Sequence, residues 1–163
     1  MQLVFTKGTG KYDRLEVLRA GHAPARIDCP KQGIVPHEMV HFAVEGTLAR
    51  RGFLGRVAQG EPLDPRMAAE DASDAVERLV ETLQADGWAG WSGASDDLLA
   101  LYAVTCRARG CSALPLDGDD IVAVREQLLA LTARWSATPV GGALALEFDA
   151  HAVARPRATG QAA

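Results

Sequence analysis

The sequence predicts an α+β fold in which a small antiparallel sheet packs against about four helices. Residues 2–7 and 12–19 alternate apolar and polar side chains, as half-buried strands do. Residues 143–149 alternate in the same way near the other end of the chain. Between these ends, apolar residues recur every three or four positions, which is the spacing of amphipathic helices. The sheet is therefore expected to be built from the two ends of the chain, with the helices between them.

The first two strands are predicted to form a hairpin, because the turn-forming segment Gly8-Thr9-Gly10-Lys11 lies between them. A third short strand is expected over residues 25–28. Residues 30–36 form a predicted loop that ends at Pro36. Proline suits the first turn of a helix, where its missing N–H is not needed. The first helix is therefore predicted to span residues 36–51.

This first helix combines an apolar stripe with two histidines. At about 100° per residue, three apolar residues fall on one face: Val40, Val44 and Leu48. His37 and His41 lie along one edge of that stripe, and Glu38 and Glu45 lie beyond them toward the polar side. We therefore expect both imidazoles to be half buried at the rim of the core.

The middle of the chain is predicted to contain an irregular segment followed by a second helix. Residues 52–58 are apolar but are bounded by glycines, which favours irregular structure. Asp64 followed by Pro65 is typical of a helix start, and the apolar spacing continues to residue 86. Residues 87–93 are rich in glycine and are predicted to form a turn.

Two more helices and a strand complete the predicted fold. Ser95 is the expected cap of a helix over residues 96–109, and Gly110 would end it. The last helix is predicted over residues 119–135. The strand at residues 143–149 is expected to return to the first sheet.

Length and composition predict one domain. A chain of 163 residues with 48% apolar content can bury one sizeable core, which we assign to residues 1–151. Residues 152–163 have no periodic pattern, and we expect a disordered tail there. The net charge is −4 and no long basic run is present, so nucleic acid is not an expected partner.

Several features predict a cytoplasmic location. The N-terminal residues do not follow the pattern of a secretory signal, and no window approaches the roughly 18 apolar residues of a membrane span. We therefore expect no association with a membrane. The sequence has 3 cysteines, an odd number, and no C-x-x-C pair. That pattern suits a reducing compartment better than a disulfide framework.

The strongest functional signal is the segment Pro36-His37-Glu38-Met39-Val40-His41, which has the pattern H-E-x-x-H. Residues four apart on a helix project from the same face, so both imidazoles can reach one zinc ion. Glu38 is then placed to polarise a water molecule as a general base. A catalytic zinc site needs a third protein ligand and one open position.

Glu45 is one candidate for the third ligand, because it lies four residues after His41 on nearly the same face. Along a straight helix, however, Glu45 and His37 are about 12 Å apart. Glu45 therefore suits better the role of a hydrogen-bond acceptor for the outer ring nitrogen of His41. An ordinary i, i+4 helix pair is the remaining interpretation.

A second candidate follows from the segment at residues 69–74, A-E-D-A-S-D. It resembles the N-E-x-x-S-D motif that zinc peptidases of the gluzincin group place downstream of H-E-x-x-H. The resemblance implies that Glu70 is the third ligand, although asparagine is missing here. Glu70, Asp74, Glu77 and Glu81 also share a helix face opposite the apolar stripe, which is typical of a solvated acidic surface.

A closer likeness covers residues 36–60. The segment P-H-E-M-V-H-F-A-V-E resembles the core P-H-[DE]-x-x-H-[FY]-x-V-E of a family of small uncharacterised bacterial proteins. In that family the acid after the first histidine is often aspartate, whose shorter side chain reaches less far toward a metal-bound water. The resemblance implies a bacterial protein and marks His37, His41 and Glu45 as the residues to test.

Three hypotheses remain open from the sequence. In the first, His37, His41 and a third acid bind zinc, and Glu38 supports metal-assisted hydrolysis of an amide or similar bond. In the second, the metal site is present without catalysis. In the third, the histidines only support the fold, and the protein is an interaction or small-ligand module whose binding surface includes residues 52–60 and the helix edge.

Overall fold

The computed structural model describes residues 1–151, over which the chain forms four strands and five helices. The strands are β1 (Gln2–Thr6), β2 (Tyr12–Leu18), β3 (Ala25–Pro30) and β4 (Ala143–Glu147). The helices are α1 (His37–Leu48), α2 (Phe53–Ala58), α3 (Asp71–Trp88), α4 (Ser95–Arg109) and α5 (Gly118–Ala137). The predicted α+β fold is confirmed. The tail predicted at residues 152–163 lies outside the described residues.

The sheet is antiparallel, with the strand order β3-β2-β1-β4. The C-terminal strand pairs with β1, as predicted, so that Leu3 lies opposite Val17 on one side and Leu146 on the other. Alternate side chains point to the two faces of a strand, and here one face is buried. Leu3, Phe5, Leu15 and Val17 form the buried face of the hairpin.

Helix α1 lies inside the helical layer and packs against α2, α3 and α5. Its apolar residues belong to the same core as the inward side chains of the sheet. The prediction that Glu38 and Glu45 lie toward the polar side of α1 is wrong, because both are buried. His37 is half-buried, as predicted, but His41 is almost completely buried, because neighbouring helices cover that side too.

The structure corrects the segment between α1 and α3. Residues predicted to be irregular form α2, and α3 begins at Asp71 rather than near Asp64. Asp64 makes a local turn instead, accepting a hydrogen bond from the backbone N–H of Arg66. Buried Arg56 binds the carboxylate of Glu61 and the carbonyl of Ala68, which holds residues 61–70 in a non-helical path.

Helix termini agree with the sequence in part. Gly110 ends α4 in a left-handed conformation, with φ of 72°, as predicted. Ser95 is the first residue of α4 and makes no capping hydrogen bond, because Ala94 occupies the cap position. The last helix begins with a capping box between Asp117 and Asp120, which the sequence analysis did not predict.

Within residues 1–151, the helices are too short or too polar to cross a membrane.

Candidate metal centre

Three side chains from α1 and α3 converge beside α2. The Nε2 atom of His37 lies 3.2 Å from Oε1 of Glu77, and the Nε2 atom of His41 lies 2.9 Å from Oε2 of the same carboxylate. One ligand atom from each of these three residues lies within 4.8 Å of the others. The histidines come from successive turns of α1, and Glu77 comes from α3, which packs across it.

The Nδ1 atom of each imidazole, the ring nitrogen that does not contact Glu77, lies next to an oxygen acceptor. The Nδ1 atom of His37 lies 2.9 Å from Oε1 of Gln84, and Nδ1 of His41 lies 3.0 Å from Oε1 of Glu45. With a hydrogen on each Nδ1, these bonds leave the Nε2 lone pairs free to face a common point. Outer acceptors of this kind orient metal-binding histidines and make them more basic.

The carboxylate of Glu45 is itself fixed by the start of α2. Backbone N–H groups of Gly52, Leu54 and Gly55 donate to it over 2.9, 2.9 and 2.7 Å. Residue 52 must be small, since a Cβ there would lie 2.5 Å from Val76 Cγ1 and 2.9 Å from Glu45 Oε1. The glycine thus permits the close contact by which α2 fixes Glu45, and through it His41.

The charges of the cluster are strongly coupled. Burial alone would lower the pKa of His41, but hydrogen bonds to Glu45 and Glu77 outweigh burial and raise the pKa to about 10. Burial alone would raise the pKa of Glu77, but hydrogen bonds from His37 and His41 hold that pKa well below its usual range. With no metal bound, His41 is therefore a protonated imidazolium at neutral pH and forms an ion pair with the Glu77 carboxylate.

The donor set matches what zinc requires. Two imidazole nitrogens and one carboxylate are the protein ligands of many catalytic zinc sites, at about 2.0–2.2 Å from the ion. Ligand atoms at that distance in a tetrahedral site lie about 3.4 Å apart. The His37–Glu77 and His41–Glu77 contacts of 3.2 and 2.9 Å, which run to the two different oxygens of the carboxylate, are close to that spacing.

Glu38 lines a cavity in front of the three converging side chains. The cavity measures about 110 Å³ and is bordered by His37, Glu38, His41, Phe53, Pro65 and Glu77. The Oε2 atom of Glu38 is buried and has no hydrogen-bond partner among residues 1–151. An unpaired buried carboxylate oxygen is costly, and such atoms are rare in folded proteins. Glu38 also lies next to the thiol of Cys29, whose pKa is raised by burial and, less strongly, by the charge of Glu38 and a hydrogen bond to it.

The structure does not bring the two predicted third ligands into the cluster. Glu45 is beside His41, but its two oxygens are occupied by Nδ1 of His41 and the backbone of α2, which is the acceptor role. Glu70 lies just before α3, where it pairs with Arg51 and approaches Arg56 Nε to 3.9 Å. Neither carboxylate faces the Nε2 atoms of both histidines.

Glu77 is the residue that the sequence analysis missed, because it was assigned to a solvated acidic face. Its side chain is 32% exposed and contacts both imidazoles. One signal was available: Gln84 lies seven residues after Glu77, so the two share a helix face. The side chains of Glu77 and Gln84 can both contact the histidines of α1 only if α3 packs across α1 at this point.

Comparisons of the chain with protein-family models, with curated proteins and with solved structures gave no match in any of the three sets.

Proposed function

We propose that this protein is a zinc-dependent hydrolase of small amides, in which His37, His41 and Glu77 bind one zinc ion. The observation that carries the proposal is the convergence of two Nε2 atoms on one carboxylate, with each Nδ1 held by a separate oxygen. Both acceptors, Glu45 and Gln84, are buried, and burying polar groups costs free energy. Histidines that only filled space in the core would not need them.

The local surroundings favour catalysis over a purely structural metal. Structural zinc sites are closed by four protein ligands, whereas three ligands leave a position for water or substrate. The cavity of about 110 Å³ lies on the open side of the cluster and admits such a small molecule. Glu38 borders that cavity, although its Oε2 atom is itself buried.

The roles of the residues follow from their placement. A divalent ion at this site would supply charge that polarises a carbonyl and makes nearby water more acidic. Glu38 accepts a proton from the attacking water as the new C–O bond forms. It then returns the proton to the nitrogen as the C–N bond breaks, so that an amide and water give a carboxylic acid and an amine.

A second candidate function is a metal-free binding module, and one observation favours it. Both ring nitrogens of His41 already have carboxylate partners, at 3.0 Å to Glu45 and 2.9 Å to Glu77. The charged network is then complete in itself and serves to join α1 to α3. Residues 52–60 and the edge of α1 would form the binding surface.

Metal content separates the two candidates. Protein purified without chelator should contain about one zinc per chain by elemental analysis, and Glu77→Gln should lose it, because an amide is a poor zinc ligand. Glu70→Gln is the matched control, since Glu70 lies outside the cluster. A wild-type chain without metal would favour the metal-free module, and equal zinc retention by the Glu77 and Glu70 variants would show that Glu77 is not a ligand.

Catalysis is tested separately from metal binding. Glu38→Gln should keep the zinc but lower the rate of amide hydrolysis by about a hundredfold or more, the usual contribution of a general base. The measurement compares hydrolysis rates and zinc content of the same preparation. An unchanged rate would show that Glu38 is not the base.

We also propose a cytoplasmic location. Cys29, Cys106 and Cys111 are all free thiols. Free thiols persist in reducing compartments and are uncommon in exported proteins.

A further inference from the structure

A second cavity adjoins the candidate metal centre. It measures about 240 Å³ and shares three lining residues with the smaller one: Phe53, Pro65 and Glu77. Its walls come from α2, from the non-helical residues 65–68 and from the first turns of α3. A molecule bound at the cluster can therefore extend into this side cavity without leaving the protein surface.

The side cavity is lined by one arginine with an unused donor. Arg78 is largely buried, and its Nη1 atom pairs with Glu81 at 3.0 Å. Its Nε atom is buried and has no hydrogen-bond partner among residues 1–151. A guanidinium presents its donors as a planar fork that matches a carboxylate. The Nε atom is shielded from solvent, so a ligand carboxylate in the cavity would contact the part of the side chain that stays exposed, which is 14%.

Two of the other charged groups of the side cavity, Arg56 and Glu77, already have partners. Arg56 binds Glu61 and the carbonyl of Ala68, so it is held by the protein itself. The pKa of Arg56 is raised chiefly by the hydrogen bond to Glu61 and, less strongly, by the charges of Glu70 and Asp74. Glu77 is the carboxylate assigned to the ion. Arg78, which pairs only with the exposed carboxylate of Glu81 among residues 1–151, is the cationic lining group best able to take a ligand.

The size of the side cavity limits what can occupy it. At about 240 Å³ it is below the roughly 300–1,000 Å³ typical of pockets for drug-sized ligands. It suits one amino-acid residue at a chain end better than an extended polypeptide. Phe53, Pro65 and Met67 add apolar surface for a side chain.

We propose that this cavity binds the amino-acid half of an N-acyl amino acid or dipeptide, with Arg78 holding the free carboxylate. This inference rests on the hydrolase proposed above and names its substrate class. Water adds to the acyl carbon, the bond to the amino-acid nitrogen breaks, and Glu38 transfers the proton to that nitrogen. The products are a carboxylic acid and a free amino acid, whose carboxylate stays next to Arg78 until release.

The test uses two ligands that differ only in the terminal group, N-acetyl-L-leucine and N-acetyl-L-leucinamide. Both are titrated calorimetrically into zinc-loaded Glu38→Gln protein, and acetate release is measured with the wild-type enzyme. The carboxylate should be preferred by about tenfold to a hundredfold in affinity and in kcat/KM, as a charge-assisted bond to arginine would give. The preference should disappear in Arg78→Ala.

Arg50→Ala is the matched control, because Arg50 also has a buried Nε without a partner among residues 1–151 but does not line this cavity. It should keep the preference for the carboxylate. Equal binding of the two ligands, no binding of either, or a preference that survives Arg78→Ala would overturn the inference. Zinc content is measured on every variant, so that failure of the metal site is seen separately. If wild-type protein holds no zinc, the same titration of the metal-free protein decides the role of Arg78.

Discussion

The hydrophobic region around the sheet and the polar crossing of α1 with α3 are stabilised in different ways. The first is formed by side chains such as Leu3, Phe5 and Leu128, whose burial alone is favourable. The second buries Glu45 and His41, which lose hydration and are stable there only because each has partners. Buried charge is poor evidence for stability, so its presence at this crossing points to function.

The largest predicted effect breaks the polar crossing directly. Glu45→Ala removes the acceptor of His41 and of three backbone N–H groups, and leaves those donors buried. We expect the free energy of unfolding to fall by about 3–5 kcal/mol, as for loss of one partner of a buried pair. Urea denaturation measures this loss.

Leu128→Ala is the comparison from the hydrophobic region, with an expected loss of about 2–5 kcal/mol. The two variants should differ in zinc affinity, which Glu45→Ala lowers about 10–100-fold and Leu128→Ala leaves unchanged. Equal zinc affinity in both would mean that Glu45 supports the fold alone.

The second prediction concerns the pH dependence of the metal-free protein. The folded state raises the pKa of His41 from 6.5 to about 10, so its contribution is complete below pH 6.5 and is lost as the pH rises toward 10. The free energy of unfolding should fall by about 1.4 kcal/mol per pH unit at most within that window. Urea titrations at several pH values measure it.

At acidic pH, the free energy of unfolding should change with pH in the opposite direction. The pKa of Glu77 is lowered from 4.5, so its contribution is present above pH 4.5 and is lost as the pH falls below that value. Metal-free protein should therefore be most stable between these two windows. His41→Gln should flatten the alkaline limb, and an unchanged alkaline limb in that variant would contradict the assignment to His41.

The smallest effects compare two glycines near Glu45. Gly52→Ala places a Cβ 2.5 Å from Val76 Cγ1 and 2.9 Å from Glu45 Oε1, which should cost about 1–3 kcal/mol. Gly46→Ala adds a Cβ on α1 with no atom within 4 Å, and should stabilise by about 0.4–1 kcal/mol. Thermal unfolding of the two variants should therefore shift in opposite directions. A stabilising Gly52→Ala would mean that α2 does not need this close contact.

Local patterns in the sequence predicted most of the fold. The hairpin, the returning strand at residues 143–149 and the helix ending at Gly110 are set by alternation, periodicity and one glycine. Helix α2 was missed because its six residues, which follow Gly52 and include Gly55, give too short a pattern. The start of α3 was misplaced because Arg56 holds residues 61–70 through contacts that no local pattern reveals.

The candidate site was likewise predicted only in part by local sequence patterns. The H-E-x-x-H spacing by itself placed His37 and His41 on one face of a helix, because four residues make about one turn. Only the packing of α3 across α1 decided that Glu77 would complete the cluster and that Glu70 would not. A helical pattern gives the direction of a side chain within its own helix. The partner it meets depends on how two helices far apart in sequence pack together, which is a property of the whole chain.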